Sequence, residues 1–384
     1  MTERLTEEQA RARHIARGDM VACKLAFIDC KMPGSHLKEN YSLIGAGVTQ
    51  SADQVVNIQE PHGFSLGAAA MPPGITNNLH VHYTAEVFMI QSGSWTFRWG
   101  AGGENEVSGG PGDVVSVPTW IFRGFTNSGN ETGWIFTALG GDDTGGIIWH
   151  PSILANAAGH GLYLTRDNMM VDTEAGQPKP TESELLQPVD EATIATFRRW
   201  TPEQMARRVV RAADRRWSAR PLLDSVLPGH AAEMAPVLGH GMMQDRDLEL
   251  PITNPHGFSV EWLRVAPGNR VGAYRLPEKQ VLMVMGGTAE VAMNAPGEEV
   301  RVTVAAGEVF SFPAGSWRAI AASGDAPCEM ILVTAGDHRK RPEFWPALAR
   351  AAAAKGWALD HNGYVASLRL LPLTVAQELA VAAE

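Results

Sequence analysis

The chain has 384 residues, 45% of them hydrophobic and 19% charged, and a net charge of −10. That is room for two domains of a globular protein. It argues against a nucleic-acid partner or an anionic membrane surface, because both need a basic patch. The three cysteines, Cys23, Cys30 and Cys328, show no CxxC spacing, so neither a disulfide framework nor a zinc–thiolate site is expected, and reduced thiols in a cytoplasmic protein are the plain reading. The first residues hold no apolar signal core, and no apolar run reaches the length of a membrane span.

Thr6 and Gln9 stand at capping-box spacing and Gly18 is a stop, which predicts a helix over Thr6 to Arg17. Residues 21–60 are mixed and punctuated by Gly, Asn and Pro, as loops and first strands would be. From Pro61 to Leu139 short apolar or alternating runs, among them FSLGAAAM, NLHVHYT, EVFMIQ and SWTFRW, are separated by Gly-, Pro- and Asn-rich turns. Many short strands at this spacing predict an all-β sandwich or barrel.

Within that region His80 and His82 alternate with Leu79, Val81 and Tyr83. Side chains at i and i+2 of a strand share a face, so both imidazoles point the same way, and Glu86 follows four residues later. Two histidines and a carboxylate at one point form a facial triad, a set that suits non-haem iron with open coordination positions.

Residues 141–245 lose the strand texture. Thr201, Pro202 and Gln204 look like an N-cap, N1 and N3. The following MARRVVRAADRRW predicts a basic amphipathic helix near 201–217, with Met205, Val209, Ala212 and Ala213 on one side and the arginines solvated or bridging domains. From about Leu250 the β texture returns as an internal repeat. Pro61-His62-Gly63-Phe64-Ser65-Leu66 recurs as Pro255-His256-Gly257-Phe258-Ser259-Val260. Gly74, Gly93, Gly112, Pro118 and Arg123 recur as Gly268, Gly287, Gly307, Pro313 and Arg318. An Ala-rich helix over Ala347 to Lys355 and a helix-like stretch after Pro372 close the chain.

Gly74-x5-His80-x-His82-x3-Glu86-x6-Gly93 resembles the first cupin motif at every defined position, and Gly112-x5-Pro118 with Asn127 resembles most of the second. The repeat makes the chain similar to a bicupin over about half its length. The resemblance implies an all-β fold of two double-stranded β-helix (jelly-roll) barrels joined by a helical linker, with helical termini. The expected domains are an N-terminal helix and arm at 1–40, a metal-binding barrel at 41–140, a linker at 141–245, a metal-free barrel at 246–337 and a helical extension at 338–384. Typical cupins add a second-motif His as fourth ligand; here Arg123 stands in its place. An Arg carries a fixed charge and cannot ligate a cation. Two readings of it stay open: a clamp for a substrate carboxylate, or one half of a salt bridge with Glu86. In the second copy the ligand positions fall on Tyr274, Leu276 and Gln280, which do not make a normal metal site.

The stretch Gly112 to Trp120, continuing to Asn127 and Trp134, also resembles the gentisate and 1-hydroxy-2-naphthoate dioxygenase branch of bicupins. This resemblance implies Fe(II) on His80, His82 and Glu86, with Mn, Zn or Ni as alternatives, and oxidative cleavage of a small carboxylated or hydroxylated substrate held by Arg123. A metal acting without O2, with Tyr83 or a carboxylate as base, would instead give an isomerase, decarboxylase or lyase. A non-catalytic ligand-binding bicupin is the third reading. The expected partners are a small anionic substrate and, by resemblance, further copies of the chain. His62 and His256, being repeated, read as structural; His150 and His160 read as exposed loop residues or a cap over the barrel mouth; Trp95, Trp99, Trp120 and Phe122 read as core or as an aromatic pocket lining.

Overall fold

Val, Ile, Phe and Trp alternate with polar residues between Gly- and Pro-marked turns, and a half-buried strand accommodates that pattern. In the computed structural model, which describes residues 4–372, these segments build two units, one of Gly18–Asp214 and one of the residues up to Arg17 together with those from Arg215 onward. Among the described residues no helix is long and apolar enough to cross a membrane. The helix-like stretch after Pro372 lies outside the described residues.

The first unit pairs a seven-stranded and a five-stranded sheet, and the large one runs Val209–Val210, Val114–Val117, Glu86–Ser92, Gly133–Gly140, Phe64–Met71, Glu39–Ile44, Val56–Ile58. The small one runs Ile147–Trp149, Thr76–His82, Arg123–Asn127, Trp95–Trp99, Asn105–Gly109. Its core lies between them: Phe88, Ile90 and Ile135 from the large sheet pack with Trp95, Phe97 and Phe125 from the small one. Trp95, Trp99 and Phe122 are core residues, whereas Trp120 is 45% exposed. Gly93 turns the chain at φ 86°, and a Cβ there would come 2.6 Å from the Gly133 Cα. The motif glycine therefore answers both a left-handed backbone and a close approach.

The second unit repeats the plan with a six-stranded and a five-stranded sheet. Its large sheet includes Ala232–Leu238, a strand inside the stretch read as linker. Ile147–Trp149, also read as linker, pairs with Thr76–His82 in the first unit.

Two helices are shorter than their sequences predict. The capping boxes at Thr6/Gln9 and Thr201/Gln204 both form, but the helices span only Glu7–Arg11 and Pro202–Ala206. Each gives way to a two-residue strand. Val209–Val210 pairs with Val114–Val117, and His14–Ile15 pairs with Val309–Phe312. Satisfying the backbone groups of an exposed sheet edge outweighs two more helical turns there. Arg207 and Arg216 stay exposed, whereas Arg208 and Arg211 are taken up by the barrel. Arg208 donates from Nε to Ser116 O at 3.0 Å and from Nη2 to Ser116 Oγ at 2.7 Å, and Arg211 pairs with Asp113 at 2.9 Å.

The two arms are themselves a repeat. Thr6-Glu7-Glu8-Gln9 and Thr201-Pro202-Glu203-Gln204 bury Ala10 and Met205 at the same step. Val114–Val117 and Val309–Phe312 are equivalent strands of the two barrels. The arm that precedes the first barrel thus edges the second barrel, and the arm that precedes the second edges the first.

Candidate metal centre

The strand Thr76–His82 lies between Ile147–Trp149 and Arg123–Asn127, with His80 opposite Arg123 on one side and opposite Trp149 on the other. The chain then crosses over at residues 83–85 and re-enters in the facing sheet, where Glu86 is the first residue of Glu86–Ser92. This crossover brings a carboxylate from one sheet to two imidazoles from the other. His80, His82, Glu86 and Arg123 are all buried.

One ligand atom from each of His80, His82 and Glu86 lies within 4.8 Å of the others, and among the described residues this is the one such group of three. His80 Nε2 is 3.1 Å from His82 Nε2, and His82 Nε2 is 3.5 Å from Glu86 Oε1. His80 Nδ1 donates to Asn78 O at 2.6 Å, which fixes the tautomer and leaves Nε2 with its lone pair turned to the common point. Arg123 Nε donates to Glu86 Oε2 at 3.1 Å, so Oε1 remains on the imidazole side. The donor set fits a divalent transition metal held by two neutral imidazoles and one carboxylate.

Electrostatics keep the donors in ligating form. Burial first, then His82 and Arg123, holds His80 well below the usual imidazole range. Burial and then Arg123 lower His82. Burial alone would raise Glu86, but His82 and Arg123 outweigh it and bring its carboxyl down to about 2. The stability consequence follows from linkage. Below the ordinary imidazole range the unfolded chain binds protons at His80 and His82 that the folded, metal-free chain refuses. Glu86 acts in the same direction, its contribution present above the ordinary 4.5 and lost as pH falls toward about 2. Metal-free protein is therefore expected to lose stability on acidification below about pH 6.5, by up to roughly 2.7 kcal/mol per pH unit. Urea denaturation at a series of pH values measures this, and a His80→Asn/His82→Asn variant should flatten the slope.

A cavity of about 60 Å³ opens against the three donors. Its wall includes Lys38, Tyr41, Gly67, Asn77, Phe125 and Ile147. Lys38 is missing from the sequence-level site. It is 5% exposed, its ammonium donates to Asp29 Oδ1 and to Asn77 Oδ1, the latter at 2.7 Å, and Asp29 is fully buried. Only a buried Lys and Asp about ten residues apart could have hinted at it, and nothing in their loop marks them as buried.

Two other sequence expectations change. Tyr83 does not reach the cavity: one residue past His82, it turns the opposite way, stands 43% exposed and packs edge-on against Trp120 with centroids 5.2 Å apart. It is not placed to act as a base on a molecule at the triad. Arg123 lies beside the triad, but its Nε is taken by Glu86 and its Nη1 by Ile121 O at 3.3 Å, and it is not part of the cavity wall. Of its two readings, the salt bridge is the one present. Arg318, its counterpart, instead donates to Ser316 O and Pro313 O.

In the second barrel the ligand positions are filled. Tyr274 Oη donates to Gln280 Oε1 at 2.8 Å, Gln280 Nε2 donates to Thr334 Oγ1 at 3.0 Å, and Leu276 is fully buried beside them. His62 and His256 make the same bonds in both copies: each Nδ1 donates to the carbonyl two residues back, Glu60 O at 2.6 Å and Asn254 O at 2.7 Å. Each backbone N–H meets an aspartate, Asp142 or Asp337. His150 caps the helix Pro151–Ala158 by accepting from Ser152 N, and His160 follows the end of that helix; neither belongs to the cavity wall.

The cupin-domain family matches residues 261–334, within the second barrel. No curated protein sequence matches the chain. Among solved structures, oxalate decarboxylase of Lactobacillus farciminis in its formate complex superposes with a TM-score of 0.54 at 12% identity, covering 88% of this chain and 90% of that one. Oxalate decarboxylase of Bacillus subtilis at pH 4.6 gives 0.53 at 12% identity, covering 95% and 82%. Vicilin of Corylus avellana gives 0.51 at 12% identity, covering 96% and 97%. At this identity the likeness is one of fold.

Proposed function

We propose that the chain, which folds as two cupin-like barrels in one polypeptide, is a bicupin whose first barrel is the active site of an Fe(II)-dependent dioxygenase cleaving a small carboxylated or hydroxylated substrate. The observation that carries this reading is the convergence of His80 Nε2, His82 Nε2 and Glu86 Oε1 on one wall of a cavity. When bound there, the metal would supply open coordination positions for substrate and O2. The chain's own residues do the rest. Asn78 O holds the His80 tautomer. Arg123 balances the Glu86 charge and keeps one carboxylate oxygen occupied. Leu66, Met71, Phe125 and Ile147 give the cavity an apolar wall that limits water.

Anaerobic reconstitution with Fe(II), followed by O2-uptake assays with a panel of hydroxybenzoates and related acids, tests it. One bound metal per chain and substrate-dependent O2 consumption are expected. A second reading draws on the oxalate decarboxylases among the structural neighbours: the same ligands hold Mn, Zn or Ni for O2-independent decarboxylation, elimination or isomerisation. Turnover without O2 uptake would select it, and a chain that takes up no divalent metal would leave a ligand-binding bicupin.

A further inference from the structure

We propose that Lys38 is the anion anchor of the first barrel, and that the cavity takes a small carboxylate with its charge on the Lys38 ammonium and its other end at His80, His82 and Glu86. The proposal rests on the reading of that trio as a metal centre and names what binds beside it.

An ammonium has three N–H donors. Asp29 and Asn77 take two, and among the described residues no protein oxygen or nitrogen accepts the third, the remaining neighbours of Nζ being the Phe27 ring at 5.1 Å and the Trp149 ring. Lys38 Nζ stands 5.8 Å from the Trp149 ring, and that ring lies 5.3 Å from the His80 ring. One indole therefore separates the lysine from the first ligand, and both line one cavity. The charges point the same way. Arg123 with Glu86 and Lys38 with Asp29 are each neutral as pairs, so a divalent cation on neutral imidazoles would leave buried positive charge that an anionic ligand offsets.

The second barrel separates architecture from function. Asp29 Oδ2 accepts from Asn78 N at 3.2 Å, and Asp224 Oδ2 accepts from Gly272 N at 2.6 Å in the other copy. The aspartate is thus common to both and ties its loop to a strand. The lysine is not common. Glu39 pairs with Ala70 and Glu233 with Arg264 in matching register, which puts Ala232 at the Lys38 position. The second barrel has its own cavity, about 70 Å³ against Pro236, His240 and Glu261, but it does not reach Tyr274, Leu276 or Gln280. Ser42 faces Gly67 where Pro236 faces Glu261. The Glu261 carboxylate fills that space, accepting from Met242 N at 2.9 Å and Met243 N at 3.2 Å. The ligand set, a cavity that reaches it and a lysine at the Lys38 position occur together in one barrel and are missing together from the other, whose own buried lysine, Lys340, donates to Gly336 O and His338 O instead.

The test is calorimetric titration of acetate, pyruvate and oxalate into Co(II)-loaded and metal-free protein. Lys38→Met is expected to weaken carboxylate binding by about ten- to a hundredfold, the range of a lost charge-assisted hydrogen bond, with Co(II) affinity changed by less than about threefold. Because Lys38→Met strands Asp29 in the core, the Asp29→Asn/Lys38→Met double variant is measured beside it and should show the same loss. Carboxylate affinity within about threefold of wild type in either folded variant would reduce Lys38 to a structural ion pair. A wild-type chain that binds no Co(II) removes the metal reading alone; the anchor is then judged on metal-free protein, where no carboxylate binding by wild type overturns it.

Discussion

Replacing His82 by alanine is expected to abolish metal binding, lowering affinity by well over the roughly hundredfold seen when only an outer partner of a ligand is lost. His82 is the hinge of the trio: its Nε2 is 3.1 Å from His80 Nε2 and 3.5 Å from Glu86 Oε1. Without it a single imidazole and a carboxylate already bonded to Arg123 remain. No other Asp, Glu, His or Cys lies close enough to substitute among the described residues. Metal analysis of the purified variant, with competition against a chelator of known affinity, measures the loss. Near wild-type metal content would reject the ligand assignment. The metal-free variant should still fold, because the Glu86 carboxylate keeps its bond to Arg123 at 3.1 Å.

The second large effect is expected on stability. Replacing Arg123 by methionine should destabilise the metal-free first barrel by about 3–5 kcal/mol, because Glu86 is left as a buried carboxylate without its counter-charge. The variant should recover part of that loss on adding a divalent metal, which takes over the compensation by mass action. Arg318→Met offers the control. Arg318 is as buried and occupies the equivalent position, yet its hydrogen bonds go to Ser316 O and Pro313 O rather than to a carboxylate. Its removal should cost about 1–2 kcal/mol. Denaturant unfolding of both variants, with and without metal, gives the comparison. Equal losses would mean that the two arginines are framework only and that the Arg123–Glu86 pair carries no special weight.

The trio was readable in the sequence because its geometry is local. Two histidines at i and i+2 must share a strand face, and Glu86 follows within one crossover. The same alternation speaks against Tyr83, which lies at the odd step and faces out. Arg123 was readable as a position but not as a contact, since whether a guanidinium meets a substrate or Glu86 depends on which sheet each faces. Lys38 and Asp29 were not readable at all. They sit in a loop-rich stretch without period, and their proximity to His80 is made by Trp149, whose strand pairs with Thr76–His82 from more than sixty residues away. The barrels were legible through turns and repeat, the arms were not. A strand of two residues has no alternation to read, and MARRVV satisfies a helical period as well as an edge strand.

The arms carry a consequence of their own. Each repeat supplies the edge strand that closes the other repeat's large sheet, so neither half of the polypeptide is self-sufficient. A chain holding one repeat would leave Val114–Val117 or Val309–Phe312 uncovered, and could cover it only by trading arms with a second copy. Such trading closes on itself with two partners. The present chain carries out within one polypeptide the arm exchange that two single-barrel copies would otherwise have to make.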